Sequence, residues 1–152
     1  MSVRETVEER LARIAEGDPA VFTRLYAEQA RAAADAADAR RRDGISLGPL
    51  DGAMVSIKDL FDVAGETTRA GSILLADAAP ARTDAPVVAR LRRAGAVILG
   101  KTNMSEFAFS GLGLNPHYGT PGNAADPACI PGGSSSGAGV SVGQGTSDIA
   151  IG

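Results

Sequence analysis

Apolar residues follow a helical spacing at the start of the chain. They recur at intervals of three or four positions, at Val7, Leu11 and Ile14. This spacing predicts a short amphipathic helix. Ser2 and Glu5 have the separation of a capping box, in which each residue satisfies a backbone N–H of the other, and Gly17 marks the expected end.

A second, longer helix is predicted after the dipeptide Asp18–Pro19, which suits an N-cap followed by the first helical turn. One face of this helix would carry mostly apolar side chains, namely Phe22, Leu25, Tyr26, Gln29 and Ala33. Gly44 is the expected end. Residues 1–47 are therefore predicted to be an N-terminal helical segment.

The pattern changes after Gly48, where GPLDG has the composition of a turn. The following residues, AMVSI, form a short apolar run typical of a buried strand, and this run ends at Lys58 and Asp59. Residues 48–152 are interpreted as the first part of a core domain. A lysine at the end of a buried strand is well placed for a functional site.

A helix followed by a strand is predicted in the middle of the chain. Thr83 or Asp84 can cap a helix that includes Val87, Val88 and Leu91. Gly95 would end this helix, and the apolar run AVIL at 96–99 would be the next strand.

Alternating helices and strands predict an α/β fold with a sheet covered by helices on both faces. Lys101 follows the AVIL strand as Lys58 follows the first one. Residues 110–137 are rich in Gly and Pro and have no clear period, which predicts a long ordered or functional loop. The final run, DIAI, predicts a strand, so we expect the fold to be incomplete at the C-terminus.

Charge and composition exclude several classes of function. The net charge of -3 and the pI near 5.1 provide no basic field for nucleic acid or an anionic membrane. No apolar run approaches the roughly 18 residues of a membrane span. Cys129 is the only cysteine, so no intramolecular disulfide is possible and a cytoplasmic location is expected. One His and one Cys are too few for a typical zinc site, so no metal is expected.

The segment PGGSSSG at 131–137 places three hydroxyls between glycines. It suits a flexible linker, a functional loop with close ligand approach, or a phosphate-binding loop, although the GK[ST] ending of a P-loop is absent. Lys58 is open to two interpretations. It is either a solvated surface lysine or, after the apolar residues of its strand, a buried one that acts as a neutral general base.

His117 is the only histidine and lies between Pro116 and Tyr118, where a turn residue is the simpler interpretation. A Ser-His-Asp or Cys-His system would need His117, with Cys129 as the candidate thiol. Nothing in the spacing supports this alternative.

Five blocks occur in one order along the chain: GPLDGAMVSIKDLFDVAG, TTRAGS, AGAVILGKTNMSEFAFSG, YGTPGN and PGGSSSG. In order and approximate spacing they resemble the amidase-signature hydrolases. The resemblance covers residues 48–152 closely, and the helical N-terminus is similar as well. It implies a mixed α/β sheet and an amidase without cofactors that hydrolyses a small-molecule amide to an acid and ammonia or an amine.

The resemblance also implies a Ser-Ser-Lys relay. Lys58 matches the catalytic lysine of the family, and Ser134 matches the bridging serine, which the family holds with a cis peptide bond. Ser135 is the fallback if the register is shifted by one. Within SEFAFSG, Ala108 and Phe109 are the candidate wall of the acyl pocket. The alternative for Phe107 and Phe109 is ordinary core packing.

Two features depart from the family pattern. Gly139, Gly143 and Gly145 interrupt the helix expected after PGGSSSG, and each weakens a helix interior by about 1 kcal/mol relative to alanine. We therefore expect that helix to be short or frayed. The Gly-rich run that carries the nucleophile and the oxyanion donors in the family should follow DIAIG directly, so residues 1–152 alone are expected to be inactive and to expose apolar surface at the sheet edge.

Two other functions stay open. One is the amidase component, or A-type subunit, of a tRNA-dependent amidotransferase. The triple serine and the sequence around Tyr118 favour a stand-alone amidase, for which a homodimer is the expected assembly of a longer form. The other is a non-catalytic module that binds an anion at PGGSSSG.

Overall fold

The computed structural model describes residues 1–152, which form four α-helices and four β-strands. In chain order these are α1 (Val3–Glu16), β1 (Phe22–Leu25), α2 (Ala27–Arg42), β2 (Met54–Lys58), α3 (Pro86–Arg93), β3 (Val97–Thr102), α4 (Ser136–Gly143) and β4 (Ile149–Ile151). Two 3-10 turns lie at Ile73–Leu75 and Glu106–Ala108. No helix is both long and apolar enough to cross a membrane.

The four strands form one mixed sheet in the order β1-β3-β2-β4. Strand β2 runs parallel to both β3 and β4, whereas β1 is antiparallel to β3. The carboxyl ends of β2, β3 and β4 therefore lie at the same edge of the sheet, where the sites of α/β proteins usually form. The predicted mixed sheet is confirmed.

Helices cover both faces of the sheet, as predicted. On one face, α1 and α2 pack against β2 and β3 through Val3, Val7, Ala30, Ala34, Ala37, Met54, Val97 and Leu99. The alanines of α2 recur every three or four positions, which brings the helix close to the sheet. On the other face, α3 packs through Val88 and Leu91 against a cluster that includes Val55, Ile57 and Ile98.

The first predicted helix is confirmed together with its capping box. The Ser2 hydroxyl accepts a hydrogen bond from the Glu5 N–H at 3.0 Å, and the Glu5 carboxylate accepts one from the Ser2 N–H at 2.7 Å. Helix α1 ends at Gly17, as expected.

The second helix prediction is wrong at its start. Phe22–Leu25 is strand β1, and the helix begins only at Ala27. Antiparallel pairing of Phe22, Arg24 and Leu25 with β3 stabilises the strand, and this long-range interaction outweighs the local helical spacing. Asp18 does not cap a helix, because its carboxylate accepts hydrogen bonds from the N–H groups of Ala20 and Gly122.

The cap predicted for α3 is also wrong. Ala85 occupies the N-cap position and Pro86 begins the helix. The Asp84 carboxylate instead accepts a hydrogen bond from the Ala64 N–H at 2.8 Å and pairs with Arg92 at 2.9 Å.

The remaining element predictions are confirmed. Both apolar runs form strands, and Lys58 is the last residue of β2. Lys101 was predicted to follow its strand but lies inside β3, because that strand continues to Thr102. No helix or strand lies between the second 3-10 turn and Ser136, in agreement with the predicted long loop. Helix α4 has eight residues and is short, as expected, and β4 occupies most of the DIAI run.

Candidate active site

Lys58 lies at the carboxyl end of β2 and is 4% exposed. Its Nζ is 2.8 Å from Ser134 Oγ and 2.8 Å from Ser135 Oγ. Burial disfavours the charged ammonium and lowers the pKa of Lys58 from its ordinary value of 10.5. The structure therefore joins a lysine with an increased tendency to be neutral to two serine hydroxyls 76 and 77 positions away in the chain.

The backbone around Ser134 is fixed by the neighbouring loop. Ser134 O accepts a hydrogen bond from the Ser105 N–H at 2.9 Å, and the Gly133 N–H donates to Gly111 O at 2.9 Å. The peptide bond between Gly133 and Ser134 is cis. The serine loop and the loop after β3 are thus held as one unit.

Two close approaches require glycine in this region. A Cβ on Gly113 would lie 2.1 Å from Gly132 O, and a Cβ on Gly137 would lie 2.2 Å from Val21 O. The Gly137 N–H donates to Asn103 O at 3.0 Å. The first turn of α4, directly after Ser134 and Ser135, therefore packs backbone to backbone against the core.

Ala108 and Phe109 lie in and just after the second 3-10 turn, three and four residues beyond the Ser105 that bonds Ser134 O. Phe107 is 47% exposed and Phe109 is 93% exposed, so neither ring packs in the core that residues 1–152 form. Phe107 and Ala108 have positive φ angles of 49° and 58°, a strained conformation that often occurs at functional sites. Their role as an acyl-pocket wall stays a prediction.

The structure does not bring His117 and Cys129 together. His117 Nε2 lies 3.2 Å from Glu106 Oε1, while the exposed Cys129 contacts the carboxylate of Asp126. No group of three or more His, Cys, Asp or Glu side chains is arranged to hold a metal ion.

Sequence reasoning missed the residues that brace the site. Asn103 and Asn115 are almost fully buried. The Asn103 side-chain amide donates to Ala20 O and Gly119 O, and the Asn115 amide donates to Gly71 O and Met104 O. An asparagine directly after a buried strand, or within a Gly/Pro-rich loop, is the signal that could have revealed this bracing.

The site thus joins a buried lysine amine to two serine hydroxyls at the carboxyl edge of an α/β sheet. The family model described as Amidase matches residues 5–152. The chain therefore belongs to the amidase (amidase-signature) family, whose members hydrolyse C–N bonds.

Individual relatives include both enzymes and amidotransferase components. AtzE, the 1-carboxybiuret hydrolase subunit of Pseudomonas sp. (strain ADP), is 45% identical over 99% of this chain and 34% of its own length. The A-type subunit of glutamyl-tRNA(Gln) amidotransferase from Acidothermus cellulolyticus is 44% identical over 100% of this chain and 30% of its own length.

Among solved structures, the native peptide amidase from Stenotrophomonas maltophilia superposes with a TM-score of 0.85. It is 36% identical and matches 99% of this chain and 32% of that one. The chain spans about a third of the length of each of these relatives.

Proposed function

We propose that Lys58 and Ser134 are the base and the bridging serine of an amidase relay. The observation that carries this proposal is the 2.8 Å contact between the buried Lys58 Nζ and Ser134 Oγ. A lysine whose pKa is lowered by burial has a larger neutral fraction, and only the neutral amine accepts a proton.

In the proposed reaction, Lys58 takes the proton of the Ser134 hydroxyl while Ser134 takes the proton of the nucleophilic serine. That serine attacks the amide carbonyl, and the C–N bond breaks as the relay returns a proton to the leaving nitrogen. The resulting acyl-enzyme is an ester, which water hydrolyses to the free acid by the same relay. No cofactor takes part in these steps.

Ser135 contacts Lys58 at the same distance as Ser134. The bridging role is assigned to Ser134 because it is the first serine after the paired glycines of the motif. Ser135 then orients the lysine amine. An ideal Cβ on Gly152 would lie 2.5 Å from Ser135 Oγ, so the end of β4 reaches this hydroxyl. Ser135 stays the alternative bridge.

By resemblance, the nucleophilic serine belongs to a Gly-rich run that is not found within residues 1–152. We therefore expect purified residues 1–152 to hydrolyse no amide by themselves. Turnover by this chain, free of any longer form, would contradict both the relay and the expected source of the nucleophile.

A chimera tests the relay directly. Residues 1–152 replace the matching third of the Pseudomonas 1-carboxybiuret hydrolase subunit, which is 45% identical, and hydrolysis of 1-carboxybiuret is measured. Removing a general base costs about 100- to 10,000-fold in rate. We expect Lys58→Met to be nearly inactive, Ser134→Ala to lose somewhat less, and Ser135→Ala to lose least.

Two controls accompany the chimera. Ser46→Ala changes an exposed serine in a loop and should leave the rate unchanged. Lys58→Arg keeps the positive charge but has no neutral form near neutral pH, so it should be as inactive as Lys58→Met. Full activity of either Lys58 variant would refute the assignment of the base. A greater loss in Ser135→Ala than in Ser134→Ala would move the bridge to Ser135.

The second candidate is the amidase component of a tRNA-dependent amidotransferase, since relatives of both kinds match at nearly equal identity, 45% and 44%. A stand-alone amidase acting on a small amide, as a homodimer in a longer form, is preferred because of the triple serine and the Tyr118 block. Co-purification of a longer form with partner proteins of such a complex, and glutaminase activity only in their presence, would reverse this preference. The cytoplasmic location stays a prediction.

A further inference from the structure

A polar cleft lies on the face of the sheet opposite Lys58. Lys101 is the register partner of Ile57, whose side chain packs on the α3 face, whereas Lys58 is bonded to the serines before α4. The cleft has a volume of about 190 Å³ and no hydrophobic residue in its wall. Its charged and hydroxyl-bearing lining includes Thr23, Arg24, Asp59, Glu66, Arg69 and Lys101.

The charges in this wall do not balance. Lys101 pairs with Asp59 at 3.1 Å, with both side chains almost fully buried, and Arg24 pairs with Glu66 at 3.0 Å. These two pairs account for both carboxylates. Arg69 has no carboxylate within ion-pair distance, and its guanidinium makes a cation–π contact with the Tyr118 ring, 5.8 Å from the ring centroid. One positive charge is therefore left at the cleft.

The free donors suit a planar anion. The Arg69 guanidinium is a rigid fork whose N–H groups match the two oxygens of a carboxylate. Lys101 Nζ donates to Asp59 and to Thr68 Oγ1, which uses two of its three N–H groups. Because drug-sized ligands occupy pockets of about 300–1,000 Å³, a cleft of about 190 Å³ suits a smaller molecule.

We propose that this cleft binds a small monocarboxylate, with the Arg69 guanidinium as its main ligand and the buried Lys101–Asp59 pair as its floor. A single negative charge neutralises the cleft, whereas a dianion would overcompensate it. The proposal does not depend on the amidase relay, because none of its residues belongs to the Lys58 site.

The experiment is an amide NMR titration of residues 1–152 with sodium acetate, compared with sodium chloride and sodium phosphate at equal ionic strength. We expect saturable shifts at Thr23, Gly65, Thr67 and Arg69 with acetate, no matching shifts with chloride, and weaker ones with phosphate. Shifts confined to Lys58 and the serine loop, or identical shifts with chloride, would overturn the proposal.

Variants test the role of Arg69. Loss of a charge-assisted bidentate contact should weaken acetate binding about tenfold or more in Arg69→Gln, and less in Arg69→Lys, which keeps the charge. Arg82→Gln is the matched control, because Arg82 is exposed and does not line the cleft. Ser134→Ala should bind acetate normally. Equal binding by the Arg69→Gln variant and the unmodified chain would refute Arg69 as the ligand.

Discussion

The packing of α4 can be tested by making the same change, glycine to alanine, at Gly137 and at Gly139 and comparing the two variants. Both are interior residues of this eight-residue helix. A Cβ on Gly137 would lie 2.2 Å from Val21 O and 2.6 Å from the Asn103 nitrogen, whereas a Cβ on Gly139 meets no atom within 4 Å. The same Gly→Ala change therefore adds a clash with two backbone atoms at one position and fills open space at the other.

The expected effects have opposite signs. In Gly137→Ala, overpacking costs roughly 1–3 kcal/mol and the hydrogen bond to Asn103 O, worth about 1 kcal/mol, is weakened. The better helix propensity of alanine offsets about 1 kcal/mol of this cost, so the free energy of unfolding should fall by about 2 kcal/mol. Gly139→Ala gains only the propensity and should stabilise the chain by about 0.5–1 kcal/mol.

Urea denaturation of residues 1–152, followed by circular dichroism, measures both free energies of unfolding. For a chain of this length, a change of 1 kcal/mol corresponds to a melting-temperature shift of roughly 2–4 °C. Gly137→Ala should therefore melt roughly 4–8 °C lower, while Gly139→Ala should melt slightly higher. Equal shifts in the two variants would refute the argument that the first turn of α4 is clamped against Val21 and Asn103.

Two further predictions concern the buried charges. Asp59→Ala leaves the Lys101 ammonium buried without its partner and should lower the free energy of unfolding, measured by urea denaturation, by about 3–5 kcal/mol. An added Lys101→Met change should recover most of this loss. No recovery in the double variant would contradict the prediction. Between the lowered pKa of folded Lys58 and 10.5, the unfolded chain binds more protons than the folded one, so the free energy of unfolding rises with pH in that window. The difference between the unmodified chain and Lys58→Met should change across this alkaline window, and a constant difference would show that burial does not lower the Lys58 pKa.

Local signals predicted much of the fold. The capping box of α1 and the two apolar strands depend on neighbouring residues, so the sequence alone was sufficient for them. Strand β1 was missed because Phe22–Leu25 shows no alternation and is half-exposed, and only its pairing with β3 defines it. The exposed position of Phe109 was equally inaccessible, since it depends on the strained turn before it.

The two lysines show what sequence reasoning could not supply. Each lysine was predicted to follow a strand. The face of the sheet on which each side chain lies, however, depends on a register shift between β2 and β3 at Val55 and Ser56. Continued from Met54 and Val97 without that shift, the ladder would pair Lys58 with Lys101 and place both amines on one face. The irregularity pairs Lys101 with Ile57 instead, which separates the serine site from the polar cleft.

The burial of both lysines also determines where amine-directed reagents react with the folded chain. Lys58 and Lys101 are the only lysines in the sequence, and they are 4% and 1% exposed. Met1 is 83% exposed, so its α-amino group is the accessible primary amine. In purified residues 1–152, acylating labels should therefore leave both lysines unmodified while the chain is folded, and modification of either lysine reports that the sheet has opened.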